Sequence, residues 1–156
     1  MPTNAESREE FRYPTDDVEW HDFITPGCYY KLLHVDVQAG QADMLVKFEP
    51  HSECMYHRHA AMTTSLVLEG ELHVREQVDG GEEIRIKQAG DYSTGGVGEV
   101  HIEGAADKTA IIFFSMRTDD EVIYELLNPD LSLRKAITLA DFARDWKEKW
   151  PVEAAA

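Results

Sequence analysis

Cys54-Met55-Tyr56-His57-Arg58-His59 is the stretch whose reading decides the fold, and Gly98-Glu99-Val100-His101 answers it. Alternate side chains of an extended strand share a face. His57 and His59 therefore project side by side, with Met55 on the same face and Tyr56 and Arg58 turned away. Cys54 is out of phase with the pair and reads as a packing residue. Two imidazoles crowded on an apolar face call for something shared between them. A divalent metal bound by neutral ring nitrogens provides it. A His-X-His pair taken alone is equally compatible with a polar surface strand.

Outward from this stretch the signal is β. Tyr30–Val37 alternates and is rich in β-branched and aromatic residues; Gln41–Phe48 follows after the Gln38-Ala39-Gly40 turn. Short strands are predicted at Met55–His59, Thr63–Leu68, Glu71–Val78, Glu83–Lys87, Tyr92–Thr94, Val100–Ile102, Thr109–Met116 and Glu121–Leu127. Asp79-Gly80-Gly81 is a strong hairpin turn. Closely spaced strands with no helix between them predict an all-β sandwich or barrel over 29–127. Thr109–Met116 is almost wholly apolar, the pattern of a strand buried on both faces. A C-terminal extension, 128–156, carries the one helix, 139–150. Thr138 caps it with Asp141 three residues on, and Leu139, Phe142, Ala143, Trp146 and Trp150 form its apolar stripe. That stripe is expected to cover an open face or end of the barrel. Pro151 stops the helix, and Val152–Ala156 is expected to fray.

Residues 1–28 read as an N-terminal arm, polar and acidic at first, then carrying Trp20, Phe23 and Ile24. The arm either crosses a dimer interface or packs on its own barrel. The chain has 156 residues and a formal net charge of −15. Length suits one domain with a real core. The charge argues against nucleic acid and against an anionic membrane surface as partners. No apolar run approaches the roughly 20 residues that span a bilayer, and the N-terminus has no signal-peptide core. The expected location is cytoplasmic, with Cys28 and Cys54 as free thiols.

The glycine and histidine spacing resembles the cupin superfamily. Its first motif, Gly-X5-His-X-His-X3–4-Glu-X6-Gly, is matched by His57, His59 and Gly70; His51 stands at the first Gly, and Thr63 or Thr64 at the Glu. Its second, Gly-X5-Pro-X-Gly-X2-His-X3-Asn, is matched by Gly90, Gly98 and His101; Gly96 replaces the Pro and Ala105 the Asn. The resemblance covers about 29–117. It implies a single-domain cupin, an RmlC-like double-stranded β-helix or jelly roll, with His57, His59 and His101 as metal ligands acting in catalysis through that metal. The implied metal is iron(II), with zinc(II) or nickel(II) able to take its place. Cupins also imply a homodimer or homotetramer.

The missing motif carboxylate is the informative departure. With three neutral ligands a dication keeps its full charge and several open positions. Among cupins this looks like the acetylacetone dioxygenase and 2,4'-dihydroxyacetophenone dioxygenase group. The implied activity is carbon–carbon cleavage next to a carbonyl of a small diketone or hydroxyketone, with dioxygen as co-substrate. Arg75, Thr64, Met55 and Tyr92 are candidates for the substrate pocket. Glu99 or Glu103 could restore the carboxylate from another strand, which would weaken the dioxygenase likeness. Two alternatives remain open. One is a non-catalytic sensor or regulatory cupin, like the cupin-like domain of certain zinc-dependent anti-sigma factors. The other is a sugar isomerase or epimerase, which needs an anion site and is disfavoured by the acidity.

Overall fold

A computed structural model describes residues 12–150. The beginning of the expected arm, 1–11, and the expected frayed tail, 151–156, lie outside the described residues. After a 3-10 turn at Thr15–Asp17 come β1 (His21–Asp22), β2 (Cys28–Asp36), β3 (Gln41–Phe48), β4 (His57–His59), β5 (Met62–Glu69) and β6 (Glu71–Val78). Then follow β7 (Gly81–Gln88), β8 (Tyr92–Gly95), β9 (Val100–Ala105), β10 (Ala110–Arg117), β11 (Val122–Leu127), β12 (Leu133–Thr138) and α1 (Leu139–Lys149). The strands form two antiparallel six-stranded sheets, ordered β1-β2-β3-β10-β5-β8 and β12-β11-β4-β9-β6-β7. This is the all-β jelly roll expected of a cupin.

Alternation builds the core between the sheets. Ala110, Ile112, Phe114 and Met116 of β10 are buried, as are Leu72 and Val74 of β6 and Ala42, Met44, Val46 and Phe48 of β3. Buried apolar area at roughly 25 cal/mol per Å² is the main stabilising term here. The expectation that β10 is buried on both faces is corrected: Ile111, Phe113 and Ser115 are only half-buried, on the outer side of the sheet. Sheet pairing also extends beyond 29–127. β12 joins β11, although Leu133-Arg134-Lys135-Ala136-Ile137-Thr138 has no clear alternation, because an exposed strand flanking only one neighbour needs none.

The helix is closed by the foreseen capping box. Thr138 Oγ1 accepts from the Asp141 N–H at 3.1 Å, and Asp141 Oδ2 accepts from the Thr138 N–H at 2.9 Å. The apolar stripe packs across β12 and β2, so α1 bridges one seam of the sandwich. Lys149 Nζ donates to Tyr30 Oη at 2.8 Å, and Tyr30 Oη donates to Asp145 at 3.0 Å. The described part of the arm, from residue 12 on, follows its own barrel. Trp20 lies between Lys31 and Lys47, whose Nζ atoms sit 4.5 and 4.7 Å from its ring centroid. Trp150 Nε1 donates to the Glu19 carbonyl at 2.8 Å. No helix among the described residues is long and apolar enough to cross a membrane.

Two backbone positions set up the segment that enters β4. His51 has φ +61°, the left-handed region that glycine takes freely, which accounts for the glycine usual at that motif position. Gly104 of β9 faces the same segment: a Cβ there would lie 2.6 Å from the Ser52 carbonyl oxygen and 2.7 Å from Glu53 Cβ. Only a bare Cα lets the chain pass so close to the strand that carries His101. Gly104→Ala is expected to cost about 1–3 kcal/mol by overpacking, measured by urea denaturation; an unchanged midpoint would contradict this account of the contact.

Candidate metal centre

β4 is a three-residue strand between β11 and β9, with His57 directly opposite His101. Inward alternation brings His57 and His59 from β4 against His101 and Glu103 from β9. All four are buried. His59 Nε2 and His101 Nε2 are 2.9 Å apart, and Glu103 Oε1 lies 3.2 Å from His57 Nε2 and 3.1 Å from His101 Nε2. One donor atom from each residue fits within 4.8 Å of the others, a group that could hold a metal ion.

The outer ring nitrogens explain how the donors are aimed. His57 Nδ1 lies 3.1 Å from the Met55 carbonyl oxygen, which can only accept; Nδ1 carries the hydrogen and Nε2 keeps its lone pair. His59 Nδ1 lies 2.9 Å from Thr63 Oγ1. The Thr63 hydroxyl gives its hydrogen to the Ala61 carbonyl at 3.2 Å, so it accepts from His59, and His59 Nε2 is likewise bare. His101 Nδ1 is buried with no hydrogen-bond partner and sits 3.7 Å from Glu99 Oε1. Bare ring nitrogens and a carboxylate oxygen aimed at one point repel one another unless a cation or protons lie between them. The donor set therefore fits a divalent metal.

Charge in the metal-free group follows the same geometry. Burial opposes charge on His57, but the Cys54 sulfur and Glu103 raise it to about 10. Burial likewise opposes charge on His101, while Glu103 and then Glu99 raise it to about 9. Burial and the neighbouring His57 push His59 down to about 3. Against its own burial, Glu103 is held well below the ordinary carboxylate range by His101 and His57.

Several expectations need correction. The site is not a bare three-histidine set: Glu103, one of the two foreseen carboxylates, joins it, because residue 103 shares a face with residue 101. Glu99 instead meets the outer edge of His101 and forms a close ion pair with Arg85. Thr63, not Thr64, stands at the motif carboxylate position and faces inward; Thr64 points to the other side of β5. Arg75 lies on the outer face of β6, bonded to Glu53 at 2.7 Å and Glu82 at 3.3 Å, while its neighbours Leu72 and Val74 take the inner face. Tyr92 is 67% exposed on β8. Met55 offers its carbonyl to the site, and its half-buried side chain packs against the core.

Cys54, read as out of phase, comes to the group. Its sulfur lies 3.7 Å from His57 Nδ1 and accepts from the Glu103 N–H at 3.3 Å. Regular strand begins only at His57, so two-residue alternation does not hold at Cys54. It remains a free, buried thiol, as does Cys28. Both line a cavity of ≈ 40 Å³ beside the group, with Phe48, Phe114, Tyr124 and the arm residues Phe23 and Ile24. Among the described residues, no Lys or Arg lines it. Tyr124 reaches it because β11 pairs with β4, a long-range pairing with no local signal.

Thr63→Val is expected to weaken metal affinity about 10–100-fold by freeing the His59 ring, and Thr64→Val to leave it unchanged, both read by competition with a chelating dye. Protons that Glu103 holds on His57 and His101 are complete below the ordinary histidine value near 6.5 and lost as pH rises through about 9 to 10. Metal entry must displace them. Affinity is expected to rise with pH across that window, with roughly one to two protons released per metal at neutral pH. Calorimetry in buffers of different ionisation enthalpy measures the release, and a pH-independent affinity would contradict it.

Comparison with known proteins agrees with this architecture. The structure is similar to that of a protein proposed to be an acetylacetone dioxygenase from Methylibium petroleiphilum PM1, with 22% identity, a TM-score of 0.72, and 88% of this chain and 94% of that one covered. It is similar to an acetylacetone dioxygenase from Acinetobacter johnsonii, at 15% identity and TM-score 0.72 over 96% and 98% of the two chains. It is also similar to an RmlC-like cupin from Ralstonia eutropha JMP134, at 15% identity and TM-score 0.74 over 97% and 92%. At these identities the likeness establishes the fold. No curated protein matches the sequence. The profile of the ChrR cupin-like domain matches residues 8–118, most of the chain, and so the chain belongs to the ChrR cupin-like family.

Proposed function

We propose that this chain is a metal-dependent dioxygenase that cleaves a carbon–carbon bond next to a carbonyl of a small diketone or hydroxyketone. The observation that carries the reading is the junction of the four-donor group with a largely apolar cavity that no Lys or Arg among the described residues lines. His57, His59, His101 and Glu103 would be the ligands. Iron(II) is the metal favoured by this reading, and zinc(II) or nickel(II) suits the same donors. When bound, iron(II) supplies Lewis acidity toward an enolate and redox chemistry toward dioxygen.

Charge balance narrows the substrate. A dication with the buried Glu103 carboxylate keeps one positive charge, which a single enolate neutralises. A phosphorylated sugar would bring surplus negative charge into a cavity that no Lys or Arg among the described residues lines, at a high desolvation cost. Phe48, Phe114 and Tyr124 keep water from the reacting carbon, and the Met55 carbonyl and Thr63 hydroxyl hold two imidazoles in aim. The reaction needs no external reductant: the substrate supplies four electrons, the carbon–carbon bond breaks, and both oxygen atoms enter the products. The likeness to acetylacetone dioxygenase structures supports the reading.

The family match favours a second reading, a metal-holding cupin without catalysis that senses or regulates. Oxygen uptake separates the two. The protein is loaded with iron(II) under anaerobic conditions and offered a panel of 1,3-diketones and aromatic hydroxyketones. Uptake that His57→Ala lowers by at least about 100-fold is the expected result. Tight zinc retention with no uptake on any member of the panel would favour the second reading.

A further inference from the structure

The cavity beside the donor group measures ≈ 40 Å³, well under the roughly 150 Å³ that accepts benzene. A small diketone is no smaller than benzene, so one wall must give way when it enters. Most of the lining belongs to strands hydrogen-bonded on both sides. Phe48 on β3, Phe114 on β10 and Tyr124 on β11 each lie between two neighbouring strands. Cys54, just ahead of β4, is fixed by its N–H, which donates to the Glu103 carbonyl at 2.9 Å. Phe23 and Ile24 differ. They stand in the loop 23–27 between β1 and β2, outside regular strand. They are half-buried, whereas every other residue that lines the cavity is buried. Their side chains are therefore the partition between cavity and solvent.

The ends of this loop are fixed. β1 pairs with β2, His21 opposite Tyr30 and Asp22 opposite Tyr29, and the Gly27 carbonyl accepts from the Glu49 N–H at 2.9 Å. Its tip is tied to the segment before β4 by Thr25 Oγ1, which donates to the Glu53 carbonyl at 2.9 Å in an exposed position. The Phe23 ring stacks on Tyr30, with centroids 4.4 Å apart. The Ile24 side chain, being aliphatic, is held by packing against the core. We propose that Phe23 and Ile24 are the specificity-determining wall of this centre: the loop 23–27 turns aside to admit a ligand, and the bulk of the two side chains sets the largest ligand that fits. That the ligand is a diketone or hydroxyketone rests on the dioxygenase reading; the wall itself does not. A 1,3-diketone has a polar middle and two apolar arms. Its oxygens suit the donor group, and an apolar arm suits the space against Phe23 and Ile24.

Cys28 and Cys54, the chain's two cysteines, both line the cavity, so their modification reads access without metal, substrate or turnover. The full chain is treated with methyl or benzyl methanethiosulfonate, and adducts are followed by intact mass. Ile24→Ala and Phe23→Ala are each expected to speed the benzyl reagent roughly tenfold more than the methyl reagent. Thr25→Ala frees the tip without enlarging the cavity and should speed both reagents alike. Phe113→Ala, a loss of bulk on the outer side of β10, should change neither. Thermal melts check that each variant folds. Oxygen uptake by the iron(II)-loaded chain then puts the same comparison to substrates: Ile24→Ala should raise kcat/KM for benzoylacetone relative to acetylacetone by roughly tenfold. Equal speeding of the two reagents by Ile24→Ala, no speeding at all, or an equal effect of Phe113→Ala would overturn the wall. Uptake with neither diketone, alongside the expected thiol pattern, would overturn the dioxygenase reading and leave the wall standing. Uptake with an unchanged ratio would overturn the role of the wall in specificity.

Discussion

Four electron-rich atoms held within 4.8 Å of one another in an apolar interior are the constraint on which the rest depends. Such a group is costly to bury unless its charge is answered. The fold answers through rigid placement. Antiparallel pairing sets His57 against His101, Thr63 and the Met55 carbonyl orient two rings, and the close approach at Gly104 pins the segment before β4. Barrel, turns and helix keep this geometry while holding the neighbouring cavity apolar.

The fold was legible because its signals are local and repeated. Alternation, glycine turns and the Thr138 box each act within a few residues, and the structure follows them. The histidines were legible for the same reason, since residues 57 and 59 need only one strand to share a face. Glu103 was within reach by the same rule, being two residues from His101, and was foreseen together with Glu99; spacing alone does not choose between the two, and only the strand register sets Glu103 inward. The group shows that the carboxylate position is not tied to one strand. Here Glu103 on β9 brings the carboxylate to the ring nitrogens, and Thr63 at the motif position on β5 serves as a hydroxyl support for His59.

What could not be read locally was which side chains meet from distant segments. Tyr124 enters through β11–β4 pairing, and Phe23 and Ile24 through a loop that the arm folds back over its own barrel. Cys54 defeated alternation because the chain is irregular just before β4. Arg75 looked like an anion anchor only while its face was unknown; on the outer face it is a surface charge between two glutamates.

The spacing of the donors along the chain has a consequence for folding order. His57 and His101 belong to strands far apart in sequence, so their pairing closes a long loop and is expected late rather than early. A metal ion bound by this group would then meet ligands that the folded barrel already holds, instead of gathering them from a disordered chain as in a zinc finger. During that interval the protons on His57 and His101 serve as placeholders for the cation. A barrel that matures first would take up an ion only afterwards, and an ion bound by the four-residue group would then reflect the metals supplied at that moment.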